Sequence, residues 1–185
     1  VGSEASIAAW QQISKINGGP PICSARAGNV IGGGDYTEGR LMKDISNSLI
    51  YGTALEVRNF KSNRPWQHVL DPLKGYIGLL EHTLQTGESI AMNFGPREAS
   101  LSVEQVVIRS RECWSDISEN KDQTFLETKQ SLVQFAESEN LDLNSSLASS
   151  LLGWNPKWDQ YESIERTLKW WHSVECKKMD AETLC

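Results

Sequence analysis

The segment PICSARAGNVIGGGD, residues 21–35, constrains this chain most, because a short run of small and apolar residues ends there in three adjacent glycines. Residues of that kind suit a short buried strand. Gly32, Gly33 and Gly34 permit backbone angles that other residues resist, so the strand is expected to run straight into a loop. Three consecutive glycines do not have the spacing of a dinucleotide-binding turn, which leaves them a loop rather than a phosphate cradle.

The elements on either side follow from periodicity. VGSEASIAAWQQISKI, residues 1–16, carries small and apolar residues at helical spacing, and the Gly-Gly-Pro-Pro run at 18–21 stops it. GRLMKDISNSLIYG predicts an amphipathic helix with Leu41, Ile45 and Leu49 on one stripe and Gly52 at its end. A strand is expected at ALEVRN and another at WQHVL, followed by a helix to about Leu84 that Asp71 caps and Pro72 opens. ESIAMNFG alternates toward a strand end. LSVEQVVIRSRECW predicts a helix capped by Ser102, with Val103, Val106, Val107 and Trp114 facing inward. Residues 115–150 are the least legible: a strand or turn is expected near 124–127 and a helix between Asn144 and Leu152. YESIERTLKWWHSV reads as a final helix on Ile164, Leu168 and Trp171, with fraying beyond Cys176.

Composition narrows the class. A chain of 185 residues can bury a real core, as one domain or as the back part of a larger one. Its net charge of -6 argues against nucleic acid as a partner, although a basic pocket can hide within an acidic average. No stretch reaches the roughly 20 apolar residues of a membrane helix and no signal peptide is visible, so the expected location is the cytoplasm, with no membrane partner. Cys23, Cys113, Cys176 and Cys185 lack the close pairs of a structural zinc site, and His68, His82 and His172 lack ligand spacing; reduced thiols and no metal are expected, with Cys23 and Cys113 buried. Trp154, Trp158, Trp170 and Trp171 crowd near the end, where they cover either a docking surface or a core seam.

A second segment, RNFKSNRPWQHVLDPL at residues 58–73, joins ARAGNVIGGGD in a recognisable pair. Together with AMNFGP and LGWNPKW, they resemble the extended short-chain dehydrogenases that modify nucleoside-diphosphate sugars, most closely the branch of CDP-glucose 4,6-dehydratases. The resemblance implies an α/β fold: a truncated Rossmann-type structure that keeps the last strands of the sheet and the smaller C-terminal substrate-binding lobe. It divides the chain into a remnant of the dinucleotide-binding domain at 1–35, a region at 36–176 that is mainly nucleotide-sugar lobe with returning sheet elements, and a frayed tail at 177–185.

Site residues follow from that resemblance. Asn29 is implied as a substrate contact, since an amide both donates and accepts; the bland alternative is that it only holds the glycine turn. Arg40 and Leu41 match the segment at the nucleotide pocket, where a guanidinium suits a diphosphate, although an arginine at a helix start can also be merely solvated. Arg64 is implied as the diphosphate ligand, with Trp66 and His68 supporting it. Val57 and Asn59, with Leu55, fall where the family packs around a pyrimidine, and Asn59 is alternatively a turn residue. Glu137 stands in for part of a His-Glu-Ala run whose histidine is absent. Ala27 and Gly28 are implied as backbone contacts of the NAD cofactor.

The chain holds neither a Tyr-x-x-x-Lys pair nor a glycine-rich dinucleotide fingerprint, so the catalytic residues are expected upstream of Val1 and this portion is expected to be inactive alone. The implied reaction oxidises C4 of the hexose, loses water across C5 and C6, and returns the hydride to C6, with CDP-glucose as substrate and a homodimeric parent. A sister dehydratase or epimerase, a non-catalytic binding module, and a helical interaction protein with a tryptophan surface remain as alternatives.

Overall fold

The computed structural model describes residues 2–118, 128–130 and 138–177. Helix α1 (Gly2–Ile16) buries none of its residues and is tied down by Arg26, which pairs with Glu4, and by Gln11, whose amide donates to the Ile22 carbonyl at 3.0 Å. The expected single strand is two. β1 (Ser24–Ala27) runs parallel to β6 (Ala91–Phe94), and β2 (Asn29–Ile31) runs parallel to β5 (Trp66–His68), so the chain changes partner at Gly28. Only Ser24 and Ile31 of these two strands are buried. The switch has a steric reason: a Cβ on Gly28 would collide with the carbonyl of Pro65.

Helix α2 (Leu41–Tyr51) buries Met42, Ile45 and Leu49 and stops at Gly52, whose φ of 67° is a left-handed cap. Strand β3 (Leu55–Val57) pairs in parallel with β8 (Thr128–Gln130), and β4 (Asn63–Arg64) pairs antiparallel with β7 (Leu101–Ser102). Helix α3 (Leu70–Thr86) joins β5 to β6, with Gly75 giving the Phe94 ring room to lie against it. Helix α4 (Val103–Ile117) opens with the expected cap: the Ser102 hydroxyl accepts from Gln105 N at 3.1 Å and the Gln105 side chain accepts from Ser102 N at 2.8 Å. Helices α5 (Ser146–Leu152) and α6 (Gln160–Trp171) follow, and α6 runs into a π-helical turn at His172–Cys176. The strand or turn expected near 124–127 and the frayed tail past 177 lie outside the described residues.

Two cores result. The larger gathers Ile45, Leu49, Leu55, Val57, Trp66, Val106, Trp114, Ile164 and Leu168 between α2, α4, α6 and the short strands. The smaller packs Leu79, Met92, Phe94, Ala148 and Trp154 between α3, β6 and α5, with Phe94 and Trp154 edge to face at 5.0 Å.

Two expectations need correction. Asp71 does not cap α3: the helix begins at Leu70 with Val69 before it, and the buried Asp71 carboxylate instead accepts from the backbone amides of Lys157 at 2.7 Å and Trp158 at 3.4 Å. Cys23 is only half-buried, its sulfur 2.7 Å from the Thr83 hydroxyl, whereas Cys113 is buried as expected. The tryptophans resolve into a core seam, since Trp154 and Trp171 are buried and Trp170 covers Gly33. Among the described residues no helix is long and apolar enough to cross a membrane, and no group of three His, Cys, Asp or Glu side chains is placed to hold a metal.

Candidate functional site

A cavity of about 740 Å³ opens between the β2 end, the start of α2 and the β3–β4 region. Its walls draw on residues far apart in sequence because β2 ends beside β5 while α2 packs across β3. Asn29, Arg40, Leu41, Val57, Asn59 and Arg64 all line it, and so does Gly28. Ala27 is not in its wall; it sits in the β1 ladder opposite Phe94. Glu137 lies outside the described residues.

Each side chain is held differently. Asn29 uses its backbone amide to donate to the Pro65 carbonyl at 2.8 Å, while its side-chain amide bonds none of the described residues, so the glycine turn does not depend on it. Arg64 is half-buried on β4. Its Nη1 donates to the Asn63 carbonyl at 2.8 Å and to the Glu139 carbonyl at 3.4 Å, which steadies the guanidinium at the cavity wall. Arg40 precedes α2, caps nothing with its side chain, and stands at the rim 4.0 Å from Asp35. Asn59 does serve a turn, its Oδ1 accepting from Lys61 N at 3.0 Å. Val57 is buried and Leu41 half-buried against the larger core, so both contribute apolar wall.

The strand behind Arg64 is anchored by its neighbours, and its Trp66 also lines the cavity. Trp66 takes Gln160 Oε1 at its backbone amide at 3.1 Å and donates its indole N–H to the Leu101 carbonyl at 3.1 Å. His68 N donates to the Ser163 hydroxyl at 3.1 Å. The glycine loop is likewise occupied by protein: a Cβ on Gly32 would press on Val69 and one on Gly33 would enter the Trp170 ring. These glycines therefore make close packing possible and form no cradle for the pyrophosphate of a dinucleotide.

Sequence reasoning missed several wall residues, chiefly Asp35, Lys43, Asp44, Glu56, Arg58, Ser62 and Trp171. With them the cavity holds four cations (Arg40, Lys43, Arg58, Arg64) against three carboxylates (Asp35, Asp44, Glu56), a local positive excess inside a chain of net charge -6. Asp35 is held below the usual carboxylate range by the hydrogen bond from Thr37, with Arg40 and Lys43 assisting. Asp44 is pushed up by burial, with Lys43 and Arg58 opposing. The available signal was the charge density of GRLMKD and EVRN on either side of the cavity; the role of Trp171, 142 residues beyond Asn29, left no local trace.

No known protein-family model matches the chain. CDP-glucose 4,6-dehydratase of Salmonella typhimurium is 39% identical over 155 residues, which is 82% of this chain and 41% of that protein. In sequence this chain is similar to that dehydratase, and in fold it is similar to extended short-chain dehydrogenases. The likeness in fold is to solved structures of low sequence identity. A dTDP-glucose 4,6-dehydratase of Bacillus anthracis, in complex with NAD, matches 98% of this chain with 52% of its own length, at 17% identity and a TM-score of 0.72. A UDP-glucose-4-epimerase of Stenotrophomonas maltophila, with bound NAD and formylated UDP-arabinopyranose, matches 92% of the chain with 54% of its own, at 17% identity and a TM-score of 0.74. The chain thus spans about half the length, or less, of the extended short-chain dehydrogenases it matches, and its paired parallel strands are part of their Rossmann-type architecture.

Proposed function

We propose that this chain is the substrate-holding part of an NAD-dependent nucleotide-sugar 4,6-dehydratase that acts on CDP-glucose. The observation that carries the reading is the cavity itself: Asn29, Arg40 and Arg64 stand on one wall system with a net positive lining, beside the apolar Leu41 and Val57. Guanidinium groups suit a diphosphate because their planar donors can reach two oxygens at once. An apolar strip beside them suits a base, and the cavity volume is in the range of small-molecule sites, roughly 300–1,000 Å³.

In this reading Arg64 and Arg40 fix the diphosphate and Asn29 contacts the sugar end, which holds the hexose still while chemistry occurs at C4, C5 and C6. Positioning of that kind is a large share of catalysis. In the parent, NAD would supply the hydride chemistry of a reaction that is redox-neutral overall. The described residues do not form a principal NAD site, since the glycine loop is filled by Val69 and Trp170. Pairing of two copies through α1 belongs to the same reading, as that helix shows Trp10, Ile13 and Ile16 to solvent. An epimerase is the second reading, favoured by the likeness to a UDP-glucose-4-epimerase.

The test is an assay of the gene product, with whatever sequence precedes Val1, on CDP-glucose and NAD. A 4-keto-6-deoxy product supports the dehydratase, a C4-inverted sugar supports the epimerase, and no turnover with retained binding supports a non-catalytic module. Arg64→Ala is expected to raise KM more than it lowers kcat; the reverse pattern would contradict a ligand role for Arg64.

A further inference from the structure

Three carboxylates line the cavity, and their surroundings separate them. Asp35 is already engaged, accepting from Thr37 N at 3.1 Å and facing Arg40. Glu56 points outward from β3 and is exposed, so water satisfies it. Asp44 is half-buried, one turn into α2, and makes no hydrogen bond or ion pair through its side chain to any described residue; Lys43 and Arg58 act on it only through their charge. A carboxylate taken partly out of water and left without donors has acceptor capacity to spare.

Its position says which part of a ligand it meets. α2 packs on β3 and the Arg58 charge reaches Asp44, so Asp44 belongs to the part of the cavity wall formed with Val57 and Asn59. If the diphosphate is held by Arg40 and Arg64, the apolar strip of Val57 and Leu41 takes the flat base, and Asp44 is the carboxylate at its edge. Pyrimidine bases differ there in sign: cytosine presents an N4 amino donor where uracil and thymine present an O4 acceptor, and a carboxylate accepts from the first and repels the second.

We infer that Asp44 reads the exocyclic edge of the base, accepting a hydrogen bond from its amino group, and so selects a cytidine diphosphate over a uridine or thymidine diphosphate. The inference rests on the nucleotide-sugar reading above and adds to it the residue that chooses the base.

The experiment is calorimetric titration of the purified chain with CDP, UDP and dTDP, in the native form and as Asp44→Asn, Asp44→Ala and Arg64→Ala, each checked for native circular dichroism. The native chain is expected to bind CDP at least about tenfold more tightly than UDP, within the range that one good base contact supplies. Asp44→Asn, whose amide can donate to O4, is expected to shrink that ratio about tenfold or invert it, and Asp44→Ala to shrink it without inversion. Arg64→Ala should weaken both nucleotides alike. Equal weakening of CDP and UDP by the Asp44 variants would place the carboxylate on the ribose or elsewhere and overturn the inference. So would a native chain that binds the three nucleotides equally, with the nucleotide-sugar reading left standing. No binding of any nucleotide by the native chain would overturn both.

Discussion

The indole of Trp170 lies directly over the α-carbon of Gly33, so closely that a single added methyl would enter the ring. The contact fastens the loop after β2 to the end of α6, where Trp171 is edge to face with both Trp170 at 5.3 Å and Tyr36 at 4.9 Å. The cavity wall thereby depends on a packing contact between residues 137 positions apart.

Gly33→Ala is therefore expected to destabilise the chain by about 1–3 kcal/mol, the usual cost of overpacking, and to weaken nucleotide binding by displacing the loop. Gly52→Ala is the control. Its φ of 67° is strained for alanine but a Cβ there meets open space, so it should cost only roughly 1 kcal/mol and leave binding unchanged. Urea denaturation followed by tryptophan fluorescence measures both, and equal effects of the two substitutions would remove Trp170 from the explanation.

Asp71 gives a second prediction. Its buried carboxylate accepts two backbone amides of the 154–158 segment, and its carbonyl accepts from the Trp154 indole N–H at 3.0 Å. Asp71→Asn replaces one acceptor oxygen by an N–H₂ that faces another N–H, so a loss of about 1–3 kcal/mol is expected. Thermal unfolding of the variant would show it, and a midpoint within a degree of the native one would mean that the two amides find other acceptors.

The same residue shows what the sequence makes legible. Asp71-Pro72 has the composition of a helix opening, and the helix is there, but the partners that claim the carboxylate are 86 and 87 residues away and leave no local mark. Ser102, by contrast, finds its partner Gln105 three residues on, and the cap it forms is the expected one. Ile164, Leu168 and Trp171 are buried as their spacing on α6 implies. The break at Gly28 was not legible, because strand partners, β6 for one half and β5 for the other, are set by tertiary topology. The cavity divides in the same way. Asn29, Arg40 and Arg64 occupy positions with a family likeness, whereas Asp44 and Trp171 enter the wall through the packing of α2 and the end of α6.

His68 supplies a pH dependence. It is half-buried at the end of β5, edge to face with Trp158 at 4.6 Å, and its Nδ1 accepts from Leu70 N at 3.4 Å. Burial lowers its pKa below the ordinary value of about 6.5, the Asp71 charge pulls the other way, and Arg166, stacked over Trp158 at 4.1 Å, lowers it further. The folded chain thus binds this proton less readily than the unfolded chain. The stability contributed by neutral His68 is present above about pH 6.5 and is lost as pH falls through the depressed value, with a slope of at most about 1.4 kcal/mol per pH unit for one proton. Unfolding free energy measured from pH 7.5 down to pH 5 is expected to fall, and His68→Gln, which cannot be protonated, is expected to flatten that slope. An unchanged slope in the variant would assign the acid sensitivity to other groups and leave His68 as a packing residue only.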